Sequence, residues 1–319
     1  MRDLPPLGLG TAAIGNLYRA VPDEAAIATV AAALDAGLRF FDTAPHYGFG
    51  LAEDRLGRAL AGRTDVILST KVGRLLVSTE EKGERHGFVE AWPNEPVFDF
   101  SADAVRRSFD GSLRRLRRDR VDILLAHDLG RLTHGDRHEE QLRAFLDGGY
   151  PAMRRLKDEG AVEAIGIGVN EVAICLDLID RVELDVILIA GRYTLLDRSA
   201  AEQLLPAAEA RGIRVVVGGP YNSGILARPL AAMGEARFDY APADERVMAR
   251  AHALEALCER FDVPLPVAAL QFPRRHPAVA SVIPGAASVG EVADMVDRAG
   301  RAVPDALWAA LERESERGE

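Results

Sequence analysis

The chain contains 319 residues, 48% of them hydrophobic and 28% charged, which is ordinary for a globular protein. A formal net charge of −10 argues against non-specific nucleic-acid binding, which requires a basic surface. Cys175 and Cys258 are the only cysteines, so no disulfide framework is expected. The first residues lack the apolar segment of a signal peptide, and no apolar run of about 18 residues predicts a membrane span. We expect a cytoplasmic protein with no nucleic-acid or membrane partner.

Amphipathic helices and short apolar strands alternate along the chain. A strand is expected near residues 7–10, followed by a helix over Asp23–Asp35. Further strands are predicted at residues 38–41, 66–68, 121–125, 164–169, 186–189, 214–217 and 279–283, and further helices at 102–117, 151–159 and 200–210. Glycine or a polar turn separates helix from strand, as in short αβ loops. The strands are apolar on both faces, which is typical of a covered parallel sheet.

Eight strands alternating with helices predict a (β/α)8 barrel, as one domain over residues 1–319. The alternative is an open doubly wound sheet, which would need a Gly-x-Gly-x-x-Gly turn after its first strand. Gly8 and Gly10 begin such a turn, but the third glycine is Gly15, two residues late. Asp42 does end the second strand, but the residues that follow it indicate chemistry of another kind than ribose binding, so the barrel is preferred.

Two long segments interrupt the alternation. One covers residues 78–100 after the third barrel strand, and the other covers residues 227–242 after the seventh. The first is expected to be irregular and carries Trp92 and Pro93. Because both follow strands, we expect them on the face where barrel active sites are built, as lids or substrate walls. A plain surface elaboration is the alternative interpretation.

Polar side chains stand at the ends of three neighbouring strands. Asp42 ends the second strand with Tyr47 just after it, Lys71 ends the third, and His127 ends the fourth. The carboxyl ends of parallel strands meet at one rim of a barrel, so these side chains are expected to meet there. Lys71 is one of three lysines in a chain with 36 arginines. This suggests that a compact ammonium with an adjustable pKa is required at that position.

These four groups suit a proton transfer that accompanies hydride transfer at a carbonyl carbon. A tyrosine with a pKa of about 10 is a poor base at neutral pH, and an adjacent lysine is expected to lower that pKa. Tyr47 would be the acid/base, Lys71 would tune it, Asp42 would hold Lys71, and His127 would orient the substrate oxygen. Singly, each residue has a simpler interpretation: a packing tyrosine, a helix-capping aspartate, a core histidine.

The sequence around these residues resembles the aldo-keto reductase family. Residues 41–48, continued by residues 52–60, resemble the signature of that family, and residues 69–71 with His127 complete its Asp-Tyr-Lys-His tetrad. Residues 283–285 resemble its cofactor-clamping segment. The similarity extends from about residue 7 to residue 297. It implies a barrel oxidoreductase with a nicotinamide cofactor and no metal.

Four further segments resemble one branch of that family, the D-threo-aldose 1-dehydrogenases, also called L-fucose or L-galactose dehydrogenases. They are residues 15–19, 168–171, 191–196 and 218–224. Pyridoxal 4-dehydrogenases are similar. The resemblance implies oxidation of a cyclic hemiacetal to a lactone, in a monomer or homodimer. Four alternatives stay open: pyridoxal oxidation, NADPH-dependent aldehyde reduction, a nucleotide-sensing channel subunit, and an aldolase with a Schiff base on Lys71.

The resemblance also implies cofactor-binding residues. The family holds the nicotinamide carboxamide with a Ser-Asn pair, where this chain has Asn170 and Glu171, and the role of Glu171 is open. The backbone amides of residues 222–224 could cradle a pyrophosphate. The expected cofactor set is Thr11, Asp42, Asn170, Gly219, Pro220, Asn222, Ser223, Gly224, Pro284, Gly285, Ala286 and Glu291. Gly219 replaces the tyrosine that the general family stacks on the nicotinamide.

The choice between NAD and NADP depends on the segment after Pro284. NADP-using relatives place a Lys-Ser pair there and an arginine five residues beyond, which hold the additional phosphate. This chain has Gly285 and Ala286, with Glu291 at the arginine position. A carboxylate would repel a phosphate, so NAD is expected, with NADP as the alternative. The expected substrate-wall residues are Tyr18, His46, Trp92 and Asp128.

Overall fold

Eight parallel strands form one sheet in the computed structural model, which describes residues 2–232 and 234–317. In chain order the strands are β1 (Leu9–Gly10), β2 (Phe40–Asp42), β3 (Ile67–Val72), β4 (Arg74–Ser78), β5 (Asn94–Phe98), β6 (Ile123–His127), β7 (Ala164–Val169), β8 (Val186–Ala190), β9 (Arg214–Gly218), β10 (Arg237–Phe238), β11 (Ala241–Pro242) and β12 (Val279–Ile283). The large sheet has the order β1-β2-β3-β6-β7-β8-β9-β12, with every neighbouring pair parallel.

The sheet closes on itself because its first strand also bonds to its last. The amide of Gly8 donates to the carbonyl of Val282 at 3.0 Å, and the amide of Gly10 donates to that of Pro284 at 2.9 Å. The predicted (β/α)8 barrel is therefore confirmed. The observed strands start and end within a few residues of the predicted ones; β6, for example, begins and ends two residues later than expected.

Helices surround this barrel. They are α1 (Asp23–Asp35), α2 (Leu51–Ala59), α3 (Ala102–Leu116), α4 (Arg131–His134), α5 (His138–Ala144), α6 (Tyr150–Asp158), α7 (Val172–Ile179), α8 (Leu204–Ala210), α9 (Glu245–Glu259), α10 (Leu265–Gln271), α11 (Val289–Gly300) and α12 (Asp305–Arg317). Side-chain caps start several of them: Ser101 for α3, Asp244 for α9 and Ser288 for α11. Within residues 2–232 and 234–317, no helix is long and apolar enough to cross a membrane.

Two hydrophobic cores follow from the alternation of side chains along each strand. The larger core fills the layer between the strands and the helices. The smaller core fills the barrel interior with one or two side chains from nearly every strand, including Phe40, Ile67, Ile123 and Leu125. Because side chains two residues apart share a face, the next inward positions lie nearer the carboxyl rim. This places the polar strand ends inside the barrel mouth.

The segment after the third barrel strand is more regular than expected. Strands β4 and β5 pair antiparallel, from Arg74 opposite Phe98 to Ser78 opposite Asn94. The expectation of an irregular insertion over residues 78–100 is therefore wrong at both of its ends. The hairpin starts before residue 78 because Gly73, with a φ of +99°, lets the chain turn directly out of β3. The segment over residues 227–242 contains only the short pair β10–β11, and Met233 lies outside the described residues.

Candidate active site

Four polar side chains meet inside the rim of the barrel. Asp42 lies two residues after the interior Phe40, Lys71 four after Ile67, and His127 two after Leu125, so all three point inward. The Lys71 ammonium donates to the Asp42 carboxylate at 2.6 Å, to the Thr43 carbonyl at 2.8 Å and to the Tyr47 hydroxyl at 3.1 Å. The Ser69 hydroxyl donates to the second carboxylate oxygen of Asp42. The structure thus brings the predicted tetrad together.

A tight turn after β2 delivers Tyr47 to this cluster. Gly48, Phe49 and Gly50 all have a positive φ, which folds the chain back so that α2 can begin at Leu51. A Cβ on Gly48 would lie 2.4 Å from the carbonyl oxygen of Gly15, so only glycine fits this close approach. The turn fixes the tyrosine ring, whose hydroxyl reaches the ammonium of Lys71.

Lys71 stays charged despite its burial. Burial alone would lower the pKa of Lys71, but the charge and hydrogen bonds of Asp42, with those of Tyr47, more than offset it, so the pKa is raised. Only 1% of the Lys71 side chain and 2% of the Asp42 side chain are exposed. A buried ion pair of this kind persists only where each charge is well hydrogen-bonded, as both are here.

The pKa of Tyr47 is shifted in the direction opposite to the expected one. We expected Lys71 to lower the pKa of Tyr47, and its charge does act in that direction. Burial acts more strongly, and the Asp42 carboxylate adds to it, so the net pKa of Tyr47 is raised. The expected direction is therefore wrong, because the same enclosure that brings the ammonium close also removes water from the phenolate. The resting phenol holds its proton at neutral pH.

Two imidazoles lie on the other side of the tyrosine. The rings of His127 and Tyr47 are 6.0 Å apart in T-shaped contact, and the ring of His46 is 5.9 Å from that of His127. Burial first, and then the positive charge of Arg74, hold the pKa values of both histidines well below the ordinary value. Both rings are therefore neutral at physiological pH. The buried Nδ1 of His127 has no hydrogen-bond partner among the described residues.

A long cleft of about 780 Å³ opens from Tyr47 and Asp42 along the rim. Its volume is typical of a site for a sizeable small molecule. Ten of the twelve expected cofactor residues line it: Thr11, Asp42, Gly219, Pro220, Asn222, Ser223, Gly224, Pro284, Gly285 and Glu291. Asn170 and Ala286 are not among the lining residues. The side-chain Oδ1 of Asn222 is buried without a partner among the described residues, so the cleft offers an unused polar atom to a bound molecule.

The turn over Asn222–Gly224 offers fewer backbone donors than expected. The amide of Asn222 already donates to Gly219, and that of Gly224 already donates to Tyr221, each at 3.0 Å. The expected cradle of three free amides is therefore not formed in this conformation, because the turn uses two of them to hold its own shape. The side chain of Ser223 accepts from the amide of Tyr240 at 2.9 Å, which ties the turn to the loop before β11.

Asn170 and Glu171 serve the packing of neighbouring loops. The carbonyl of Asn170 accepts from Nε of Arg192 at 2.6 Å. Both carboxylate oxygens of Glu171 accept from the amide of Leu132 at 3.0 Å, at the start of the short helix α4. A Cβ on Gly130 would lie 1.9 Å from this carboxylate. Glu171 thus joins the loops after β6 and β7, a role that its neighbours in sequence do not reveal.

Glu291 lines the cleft and has two hydrogen-bond partners. One carboxylate oxygen accepts from Arg19 at 2.6 Å, and the other accepts from the amide of Ala287 at 2.7 Å. Ser288 in turn caps the amide of Glu291, so the pair begins α11 much as a capping box does. The carboxylate therefore holds the helix start and occupies Arg19.

The four expected substrate residues lie in different places. Tyr18 lines the cleft, and the ring of His46 packs beside Tyr47 and His127. Asp128 lies beside His127, with 3.5 Å between a carboxylate oxygen and Nε2. The amide of Trp92 donates to the carbonyl of Gly48 at 3.1 Å, and Trp92 is not among the described residues that line the cleft.

Three residues that the sequence did not single out also border the site. Phe88 contacts the His46 ring edge-on with 5.2 Å between centroids, Arg74 forms an ion pair with Asp128, and Tyr240 lines the cleft. Arg74 could have been found from its place two residues after the end of β3, the strand that carries Lys71. Phe88 and Tyr240 lie deep in the two long segments, where no periodic pattern points to them.

Comparison with known proteins defines the class. A model of the aldo/keto reductase family matches residues 6–314. The chain is 41% identical to the pyridoxal 4-dehydrogenase of Microbacterium luteolum and 37% identical to the D-threo-aldose 1-dehydrogenase of a Pseudomonas species, each over 97% of this chain and 93% of the relative. The holo form of an aldo-keto reductase from Bacillus halodurans superposes with a TM-score of 0.75 at 26% identity, over 98% of this chain and 92% of that one.

The protein therefore belongs to the aldo-keto reductase family, as its resemblance to that family implied. It is an oxidoreductase, and members of this family use a nicotinamide cofactor. The cleft that begins at Tyr47 has sufficient volume for such a cofactor, and it offers the Oδ1 of Asn222, which has no partner among the described residues.

Proposed function

We propose that the protein oxidises the cyclic hemiacetal of an aldose to a lactone, with NAD as the cofactor and Tyr47 as the acid/base. One observation carries this proposal: the Lys71 ammonium joins the Asp42 carboxylate to the Tyr47 hydroxyl at the floor of the cleft. The similarity to the D-threo-aldose 1-dehydrogenase of Pseudomonas supports the substrate class.

The reaction breaks one C–H bond and one O–H bond of the hemiacetal. When bound in the cleft, the cofactor supplies an acceptor for the hydride that leaves the anomeric carbon. Tyr47, once ionised, takes the proton of the anomeric hydroxyl, and the carbon–oxygen bond becomes the lactone carbonyl. Lys71 stabilises the phenolate before the transfer, and Asp42 keeps Lys71 in place and charged. Neutral His127 orients the reacting oxygen, because an uncharged imidazole can donate one hydrogen bond to it.

The cofactor preference rests on Glu291. Its carboxylate lies on the cleft wall and pairs with Arg19 at 2.6 Å, so a ribose phosphate would have to compete with Glu291 for this arginine. A dianionic phosphate would also meet the negative charge of Glu291. The pairing with Arg19 reduces this repulsion compared with an isolated carboxylate, so a preference for NAD is supported more by the occupied arginine than by repulsion.

Pyridoxal is the second candidate substrate, because the relative of 41% identity is a pyridoxal 4-dehydrogenase. The aldehyde of pyridoxal closes onto its own hydroxymethyl group as a cyclic hemiacetal, so the same residues could act on it. An aldolase with a Schiff base on Lys71 is disfavoured. A Schiff base forms from the neutral amine of a lysine. The pKa of Lys71 is raised and its ammonium makes three hydrogen bonds, so little of the neutral amine is present.

The test is NADH formation by the purified protein with a panel of aldoses and pyridoxal, repeated with NADP. Oxidation of at least one aldose, with a higher kcat/KM for NAD than for NADP, is the expected result. Tyr47→Phe should lower kcat by about 100- to 10,000-fold, as for the loss of an acid/base group. Near-full activity in this variant would contradict the role of Tyr47. Equal rates with both cofactors would favour the reductase alternative, and cofactor binding without any turnover would favour a sensing role.

Glu291→Gln tests the preference itself, because it removes the charge while keeping the shape of the side chain. We expect the ratio of kcat/KM for NAD over NADP to fall, since Arg19 is then released. A ratio that stays the same would show that Glu291 does not select the cofactor.

A further inference from the structure

A guanidinium–carboxylate pair lies beside the proposed catalytic histidine and has no part in the proposed proton transfer. Arg74 Nη2 donates to Oδ2 of Asp128, and the same oxygen lies 3.5 Å from Nε2 of His127. The charge of Asp128 also acts on the phenol of Tyr47, where it raises the pKa. The pair therefore lies within reach of the two residues that would hold the reacting oxygen.

The fold directs Arg74 into the site. A Cβ on Gly73 would lie 2.0 Å from the ring of Phe100, so glycine is required where the chain leaves β3 and enters β4. The guanidinium carbon of Arg74 then lies 4.5 Å above the ring of Phe98, directly opposite it in the hairpin. This stacking fixes the plane of the guanidinium. Only 12% of the Arg74 side chain is exposed.

Asp128 is equally fixed. Its backbone has a φ of +54°, an uncommon conformation for aspartate, and its amide donates to the carbonyl of Gly168 at 2.9 Å. Its own carbonyl lies 2.8 Å from Nε2 of His134. These contacts hold the carboxylate toward His127 with 16% of the side chain exposed. Backbone strain of this kind persists where surrounding contacts impose it, and functional sites are common examples.

Arg74 has N–H groups that form no close hydrogen bond with the described residues. Nε of Arg74 is buried without a partner among the described residues, and Nη1 lies 3.3 Å from each ring nitrogen of His46. A guanidinium has five N–H donors and a carboxylate has four acceptor positions, so a neighbouring hydroxyl could both donate to Asp128 and accept from Arg74. Oδ2 of Asp128 lies 3.5 Å from Nε2 of His127, so two hydroxyls on adjacent carbons of one substrate could contact both groups.

We propose that Arg74 and Asp128 recognise the hydroxyl group on the carbon next to the one that is oxidised, and so select polyhydroxylated substrates. This inference rests on the proposed oxidation of aldoses. Asp128 accepts the hydrogen of that hydroxyl, and Arg74 both holds Asp128 and donates to the hydroxyl oxygen. A substrate without this hydroxyl leaves the buried Nε of Arg74 without a partner and gives up a hydrogen bond to a charged group, so the site discriminates against it.

The experiment compares an aldose that the enzyme oxidises with its 2-deoxy counterpart. The wild-type kcat/KM should favour the 2-hydroxylated sugar by roughly 10- to 100-fold, the range expected for a hydrogen bond to a charged group. In Asp128→Ala this preference should fall to about one, because the loss affects the hydroxylated sugar selectively. Arg74→Lys keeps a positive charge beside Asp128 but loses the fork of donors, and it should lower the preference in part.

Asp185→Asn is the matched control. It removes the charge from another aspartate paired with a cation, Lys157 at 2.6 Å, and it lies just before β8, at the amino ends of the barrel strands and away from the carboxyl rim. Its preference for the hydroxylated sugar should equal that of the wild type. NADH binding, followed by fluorescence in every variant, reports whether the cofactor site is intact and the protein folded.

The outcomes separate this inference from the proposed function. If the wild type oxidises no aldose at all, the proposed function fails, and the inference fails with it. If the wild type oxidises aldoses but treats both sugars equally, the inference alone is overturned. It is also overturned if Asp128→Ala and Arg74→Lys bind NADH, lose activity equally on both sugars and keep the wild-type preference. Should Asp128→Ala fail to bind NADH, the preference measured in Arg74→Lys decides.

Discussion

Replacing Lys71 with methionine tests how the site controls the ionisation of Tyr47. The ammonium lies 3.1 Å from the phenol oxygen. With an effective dielectric constant of about 20, Coulomb's law gives about 5 kcal/mol of attraction between the ammonium and a phenolate at this distance. The Asp42 carboxylate opposes this attraction, so 5 kcal/mol is an upper value. Losing even a part of this attraction should lower the rate of oxidation at pH 8 by about 100- to 10,000-fold.

A single replacement would also leave the carboxylate of Asp42 buried without its partner. Removing one member of a buried ion pair costs about 3–5 kcal/mol of folding free energy. The double variant Lys71→Met/Asp42→Asn removes both charges and avoids this cost. Lys71→Arg keeps the charge but places it on a larger, planar group, which separates the effect of charge from that of shape.

The assay is the pH dependence of kcat/KM for hemiacetal oxidation, together with NADH affinity and thermal unfolding. We expect the rising alkaline limb to move to higher pH in the double variant, and NADH affinity shows whether the loss of the Asp42 charge also affects the cleft that this residue lines. A variant that keeps the wild-type pH limb and loses only its maximal rate would refute the reasoning, because the charge of Lys71 would then not act through the ionisation of Tyr47.

Three further predictions test structural conclusions. Gly73→Ala should destabilise the protein by about 1–3 kcal/mol, since its Cβ would overlap a phenylalanine ring, and Gly62→Ala, also at a positive φ but with nothing within 4 Å, should cost less in the same thermal unfolding assay. Glu171→Gln should weaken the start of α4 by about 1 kcal/mol and speed hydrogen exchange there, and unchanged exchange would contradict that role. The pKa values of His46 and His127 are depressed, so the unfolded chain binds protons first as the pH falls below 6.5. Stability should fall toward acid pH, and His46→Phe should reduce that slope by up to about 1.4 kcal/mol per pH unit in denaturant titrations.

The tetrad could be predicted because it depends on local rules. Strands of a parallel barrel expose their carboxyl ends at one rim, and side chains alternate along each strand. Counting inward positions from the apolar residues of β2, β3 and β6 is enough to place Asp42, Lys71 and His127 on the same face. Neither a contact map nor a bound molecule is needed for that step.

The partners of the outer residues could not be predicted, because they are set by contacts between segments distant in sequence. Arg74 meets Asp128 across 54 residues, Arg19 meets Glu291 across 272, and Glu171 meets Leu132 across 39. No periodic pattern or motif encodes such pairs. The hairpin of β4 and β5 was missed for a related reason, since its strands alternate only weakly and are separated by a long connection.

The sign of the pKa shift at Tyr47 shows a different limit. The sequence identifies the groups that surround the phenol, but the shift is a balance between an ammonium that favours the phenolate and a burial that opposes it. Burial is a property of the folded site. Reasoning from the list of neighbours alone therefore gives the contribution of Lys71 correctly and the net direction wrongly.

The raised pKa of Tyr47 leads to a last prediction, on the two directions of the reaction. Lys71 stays charged and His127 stays neutral near physiological pH, so the ionisation of Tyr47 is the one that should change with pH among these three groups. Oxidation requires the phenolate and reduction requires the phenol. Because the pKa lies above its ordinary value of 10.0, kcat/KM for oxidation should rise about tenfold per pH unit from neutral pH upward. Reduction of the corresponding carbonyl should stay level over that range, and a rising reduction limb would show that Tyr47 is not the proton donor.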